Sequence, residues 1–148
     1  MTQPNFRAAG YAWRLHCGGL VIEESLKGSV DRAGAKRAFV VCSPSVNRRT
    51  DTVKRIEAAL GSCYAGVFEG IEKDSTYASV CAATQAARAA AADMLIAVGG
   101  GSVIVATRAV AIFLANCTRS MTSGPTTWIN PVCLSSASKT AARATSGP

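Results

Sequence analysis

Histidine occurs once, at His16, and no acidic residue follows Asp93 in this chain of 148 residues. These shortages leave few metal ligands in the C-terminal third. A catalytic role for His16 would need a partner that the sequence does not identify; a strand-edge histidine at the surface is the plainer reading. The six cysteines (Cys17, Cys42, Cys63, Cys81, Cys117 and Cys133) form no Cys-x-x-Cys pair and no metal-like spacing. Residues 1–14 hold Pro4, Arg7 and Arg14 but no apolar core, so no secretory signal is expected there. The longest uncharged apolar run, residues 94–107, is broken by three glycines and is too short for a bilayer. The expected setting is a reducing cytoplasm, away from any membrane, with free thiols. Cys42, Cys63 and Cys81 lie in apolar patterns and read as small core hydrophobes. Arginines near Cys42 could lower its pKa, but burial is the stronger expectation.

What remains is an ordinary folding composition. Apolar residues make up 49% and charged residues 17%, which suits one globular domain. A chain of this length buries roughly two-thirds of the surface that it exposes when unfolded. The net charge of +7 raises nucleic acid as a partner, but its distribution argues against one. Twelve Lys and Arg share residues 1–93 with all nine acids, and the other four cations are scattered beyond. No dense basic stripe with interleaved aromatics is present, so most of this charge belongs to a solvated surface.

Strand and helix patterns alternate. Residues 11–16 can form a short first strand. Residues 21–33 carry Glu23 and Glu24 in a first helical turn, place Leu26, Val30 and Ala33 on one side, and stop at Gly34. RAFVVC, residues 37–42, is a compact apolar run of the kind covered on both faces. Residues 46–60 set Val53, Ile56 and Leu60 at helical spacing. Residues 63–68 give another strand. Asp74 or Ser75 can cap an alanine-rich helix to about residue 92. Residues 93–98 (DMLIAV) form the next strand, and an apolar helix follows to about residue 115. This order predicts an α/β fold: a parallel sheet of four strands with helices on both faces. Residues 116–148 differ, with twelve Ser and Thr, three of the five prolines and no acid. They show no sustained period and read as a Ser/Thr/Pro-rich tail of uncertain structure, poorly packed from residue 120. In such a tail Trp128 can simply be exposed.

The informative motif is the junction DMLIAV-GGGS-VIVATRAV. Gly99, Gly100 and Gly101 let the backbone turn sharply and approach a ligand with no Cβ in the way. Ser102 adds a hydroxyl, and the helix start offers free N–H groups and partial positive charge, which suits a pyrophosphate. A GxGxxG fingerprint would need glycine at Ile104, and a P-loop ending in Gly-Lys-Ser/Thr is absent. A tight turn at the end of a buried strand would use the same glycines without any ligand. Arg48 and Arg49 read first as solvated charges and second as contacts for a cofactor phosphate.

From about residue 10 to 115, and most closely from 92 to 115, the chain resembles the N-terminal domain of the iron-containing alcohol dehydrogenases. That superfamily also holds maleylacetate reductases, glycerol dehydrogenases and dehydroquinate synthases. The resemblance rests on RAFVVC, on ADMLIAVGGGS after the fourth strand pattern, and on the helix that follows. It implies a Rossmann-like fold in which Gly99, Gly100, Gly101 and Ser102 wrap the diphosphate of NAD or NADP. It also implies hydride transfer between an alcohol or carbonyl and that dinucleotide, with Fe²⁺ or Zn²⁺ polarising the oxygen.

Three departures qualify what carries over. Val105, Thr107 and Arg108 stand where the family has Asp and an Ala-Lys pair. Ser43 stands where the family has an Asp at the ribose. The family's metal-binding helical domain has no counterpart in this sequence, and Pro125-Thr126-Thr127 lies too near the glycines to match its Pro-Thr-Thr motif. The expectation is a truncated domain, inactive alone, with neither catalytic nor metal-ligating residues of its own. With Ser43 in place of the acid, and Arg48 and Arg49 following, NADP should bind at least as well as NAD. Two rivals stand beside this: a non-catalytic nucleotide- or phosphate-binding module, and a non-functional fragment pairing with another chain at an exposed sheet edge.

Overall fold

The computed structural model describes residues 16–119 and 132–134. Its sheet has four strands in the order β2-β1-β3-β4. They are β1 (Ala38–Cys42), β2 (Tyr64–Phe68), β3 (Met94–Val98) and β4 (Val132–Leu134). Every adjacent pair is parallel. The three apolar runs at 37–42, 63–68 and 93–98 thus become neighbouring parallel strands, as their composition and the helices between them require.

β1 and β3 are buried at every position, because helices cover both faces. Strand alternation divides their side chains. Ala38, Val40, Cys42, Met94, Ile96 and Val98 face one layer, built from a π-helical turn Ile22–Leu26, α1 (Lys27–Arg32) and α3 (Thr52–Leu60). Phe39, Val41, Leu95 and Ala97 face α4 (Tyr77–Ala89) and α5 (Gly101–Arg119). Burying one such aliphatic side chain stabilises the fold by about 1.5–3 kcal/mol. β2 ends the sheet and is only partly covered, with Val67 exposed.

Polar clamps set the strand starts. The Asp93 carboxylate accepts from the backbone N–H of Lys36 and of Arg37, each at 2.8 Å, and Nε of Arg37 donates to the Ala90 carbonyl at 2.8 Å. These contacts hold β1 and β3 in register. At the end of α1, Gly34 (φ 71°) closes the helix, while Ala35 N–H bonds the Val30 carbonyl and Gly34 N–H that of Asp31.

The structure corrects several expected boundaries. The helix expected over 46–60 is two helices, α2 (Pro44–Arg49) and α3, separated by Thr50 in an extended conformation. Pro44 starts α2 early because its fixed φ suits a first helical position. His16 belongs to no strand and is exposed; the rest of the strand expected at 11–16 lies outside the described residues. Among the described residues, β4 is the fourth strand of the sheet, and it comes from the segment read as a tail. Its three residues pair Val132, Cys133 and Leu134 with Ile96, Ala97 and Val98. Three residues give no readable period, and the pairing is made by backbone groups whatever the pattern around them. The remainder of residues 120–148 lies outside the described residues.

Candidate functional site

β1 and β3 end level with each other, Cys42 opposite Val98. Ser43 and Gly99 therefore leave the sheet side by side at its C-terminal edge, where ligands of open parallel sheets bind.

The turn out of β3 depends on Gly99. Its φ is +149°, and an added Cβ would lie 3.0 Å from Cγ2 of Val103 and 3.4 Å from its Cβ. Conformation and contact together demand glycine there. Gly100 caps α5, its carbonyl accepting from the N–H of Val103 (3.1 Å) and of Ile104 (3.2 Å). The N–H groups of Gly101 and Ser102, in the first turn, have no intrahelical acceptor. No acid lies in that turn to offset the positive end of the helix dipole. Gly100 and Gly101 have no positive φ, and a Cβ on either would meet nothing within 4 Å. The turn itself needs one glycine; the other two keep the space in front of the helix clear.

A residue that sequence reasoning did not place at the site supports this loop. The Ser75 hydroxyl donates to the Ser102 carbonyl oxygen at 2.6 Å. Asp74 and Ser75 both hold left-handed φ, 71° and 50°, a conformation that aspartate tolerates better than most residues and that strains serine. The cap of α4 is neither of them but Thr76, whose hydroxyl oxygen accepts from the Ser79 N–H at 3.3 Å. Three short polar residues in a row can all cap a helix, and no local rule assigns the cap among them.

Ser43 caps α2 in an extended conformation, its hydroxyl 3.0 Å from that of Ser45. Val46 of α2 reaches the glycine turn, with Cγ2 3.8 Å from a Cβ built on Gly99. The segment after β1 thus packs against the loop after β3. Arg48 and Arg49 occupy the last turn of α2, are exposed, and make no ion pair among the described residues. Of the residues singled out in the sequence, the structure brings Ser43 to the glycine turn and leaves both arginines in solvent.

Glu69 follows β2 directly, and Nδ2 of Asn47 in α2 donates to its Oε2 at 2.5 Å. Cys42 is fully buried. That burial, reinforced by the Glu69 charge, pushes its thiol up to about 11. The thiol therefore stays protonated, and the α2 cations do not activate it.

Among the described residues no three His, Cys, Asp or Glu side chains group to hold a metal ion. A cavity of about 510 Å³ opens beside His16, Cys17, Gly18, Gly19 and Glu24 and includes neither Ser43 nor the glycine turn. No described helix is long and apolar enough to cross a membrane.

Comparison with known proteins connects this architecture to a family. The family model for iron-containing alcohol dehydrogenase matches residues 18–144, past the boundary expected at 115. Maleylacetate reductase 2 of Cupriavidus pinatubonensis is 43% identical over 89 residues, which is 60% of this chain and 24% of that protein. A protein assigned as an alcohol dehydrogenase from Ralstonia eutropha JMP134 superposes with TM-score 0.63 at 35% identity, over 75% of this chain and 30% of that one. Maleylacetate reductase from Agrobacterium tumefaciens gives 0.64 at 26% identity, over 77% and 31%. The chain therefore spans about a quarter to a third of the length of these relatives. It belongs to the iron-containing alcohol dehydrogenase family of oxidoreductases.

Proposed function

We propose that this chain is the dinucleotide-binding part of an alcohol dehydrogenase-like oxidoreductase, holding the diphosphate of NAD or NADP on residues 99–102. The observation that carries the reading is the redundancy of the glycines. A turn alone is served by Gly99; Gly100 and Gly101 have ordinary φ and open space where a side chain would go. Glycine is well tolerated at the cap, but Gly101 inside the first turn forgoes the stability that a residue with a side chain would give, so its presence beside Gly100 favours close approach of a ligand to the backbone. Gly101 and Ser102 N–H groups, together with the α5 dipole, supply the attraction for the diphosphate. Ser43 borders the same edge. Arg48 and Arg49 are near enough in sequence to reach a phosphate from the end of α2.

When bound, the nicotinamide would accept or deliver hydride, and an alcohol or carbonyl compound is the substrate class. The described residues do not fit the family's iron or a zinc in its place, since they offer no three-ligand group. No metal-dependent step is assigned to them.

Titration of the chain with NADH and NADPH, followed by nicotinamide fluorescence, tests the reading. Saturable binding is expected, and Gly100→Val should weaken it severely while leaving the far-UV circular dichroism unchanged. Binding that is absent in the folded chain, or unaffected in the folded variant, would remove the loop from the site.

A further inference from the structure

The end of β1 carries Ser43, which has no charge to offer a ribose. An acid nevertheless stands at the same edge of the sheet. β1 and β2 are adjacent and parallel, with Val41 paired to Phe68. Continuing that register sets Glu69 level with Cys42, one residue before Ser43. Phe68 packs with Phe39 and Val41 on the α4 and α5 side, so strand alternation turns Glu69 to the opposite side, toward α2. The hydrogen bond from Asn47 of α2 agrees with that orientation. The raised thiol of Cys42 owes part of its shift to the same carboxylate, which places the charge close to the strand end.

Asn47 occupies one oxygen only. Oε1 of Glu69 accepts no hydrogen bond among the described residues, and the residue is only partly buried. A carboxylate holds about four acceptor sites, so Glu69 is fixed in position with most of its capacity unused. Arg48 and Arg49 make the opposite case. They are exposed and unanchored, and an arginine must give up side-chain freedom to reach a ligand.

We propose that Glu69, oriented by Asn47, is the specificity-determining residue for the adenosine ribose: its free oxygen accepts from the ribose hydroxyls of NAD and repels the 2′-phosphate of NADP. The inference rests on the reading that residues 99–102 hold the diphosphate. It reverses the preference that Ser43, Arg48 and Arg49 suggest when the sequence is read alone. A carboxylate in the crevice beside the glycine turn serves this purpose in doubly wound sheets generally. Here it would come from the neighbouring edge strand.

The test is a paired titration of the wild type and Glu69→Gln with NADH and NADPH, with competition by ADP-ribose and its 2′-phosphate. Glutamine can still accept from Asn47, so the local hydrogen bond survives while the charge goes. The wild type should bind NADH about tenfold or more tightly than NADPH, as expected for one charge-assisted contact. Glu69→Gln should bring the ratio close to one, chiefly by tighter NADPH binding. Equal or stronger binding of NADPH by the wild type would overturn the assignment without recourse to any variant. An unchanged ratio in folded Glu69→Gln would do the same while leaving the diphosphate loop intact. Failure of the wild type to bind either nucleotide would overturn the loop reading and this one together.

Discussion

Ser75 donates its hydroxyl to the carbonyl oxygen of Ser102 at 2.6 Å, bridging 27 residues of sequence. The contact ties the loop before α4 to the first turn of α5, the turn that would face the diphosphate. Loss of a hydrogen bond of this kind costs about 1 kcal/mol, or about fivefold in an equilibrium. Ser75→Ala should therefore weaken dinucleotide binding by about that factor. Ser75→Gly separates the hydroxyl from the backbone. It relieves the left-handed φ of 50°, so its melting temperature should fall less than that of the alanine variant, while its affinity falls as much. Affinity that recovers in Ser75→Gly would show that backbone strain, and not the hydroxyl, governs the loop.

The glycine turn was legible because a buried apolar strand, a glycine run and a helical pattern are adjacent in sequence, and each has a local physical cause. The same holds for β1 and β3, whose continuous apolar runs announce burial on both faces. Ser75 and Glu69 were not legible. Their positions come from sheet order, which sets the end of β2 beside the end of β1, and from a loop that crosses to α5. Neither is written in local periodicity. The split of residues 46–60 into two helices was hidden for another reason. Val53, Ile56 and Leu60 keep their spacing through α3, while Pro44 starts an earlier helix that buries no residue completely.

Ala91 offers a stability gain. It follows α4 at φ 49°, and around it Ala92 N–H bonds the Ala87 carbonyl while Ala91 N–H bonds that of Arg88. This is the helix-closing arrangement in which glycine is usual, because an alanine Cβ there costs about 1–2 kcal/mol. Ala91→Gly should stabilise the fold by about 0.5–1 kcal/mol after the entropy of the unfolded glycine is counted. Urea denaturation reads it; a lower midpoint at unchanged slope would contradict it.

Cys42 gives the protein an alkaline sensitivity of known sign. Its thiol is raised from an ordinary 9.0 to about 11. Between those values the unfolded chain releases this proton and the folded chain keeps it, so stability falls as pH rises. Burial raises Tyr64 as well, which acts in the same direction. The Cys42 share is therefore the difference from Cys42→Ala: less stable at pH 8 because a buried sulfur is lost, but with a shallower decline from pH 9 to 11. Iodoacetamide at pH 8 should label exposed Cys17 and spare Cys42 until the chain unfolds. Equal labelling rates by mass spectrometry would contradict the burial argument.

The glycines of the loop should separate stability from binding by opposite signs. Gly99→Ala forces a side chain into φ +149° and within 3.0 Å of buried Val103. Backbone strain and crowding of this kind each cost about 1–3 kcal/mol, so this variant should unfold at markedly lower temperature. Its effect on binding would then follow from damage to the fold. Gly101 is different: it lies in the first turn of α5, has no positive φ, and has nothing within 4 Å of an added Cβ. Alanine is the better helix former by about 1 kcal/mol in a helix interior. Gly101→Ala should therefore be as stable as the wild type or more so. If backbone approach is what the space is kept for, the same methyl group should stand between the helix start and a diphosphate oxygen. Expected together are an equal or higher melting temperature and at least tenfold weaker NADH binding. A variant that is both more stable and equally able to bind would show that Gly101 serves neither the turn nor the ligand.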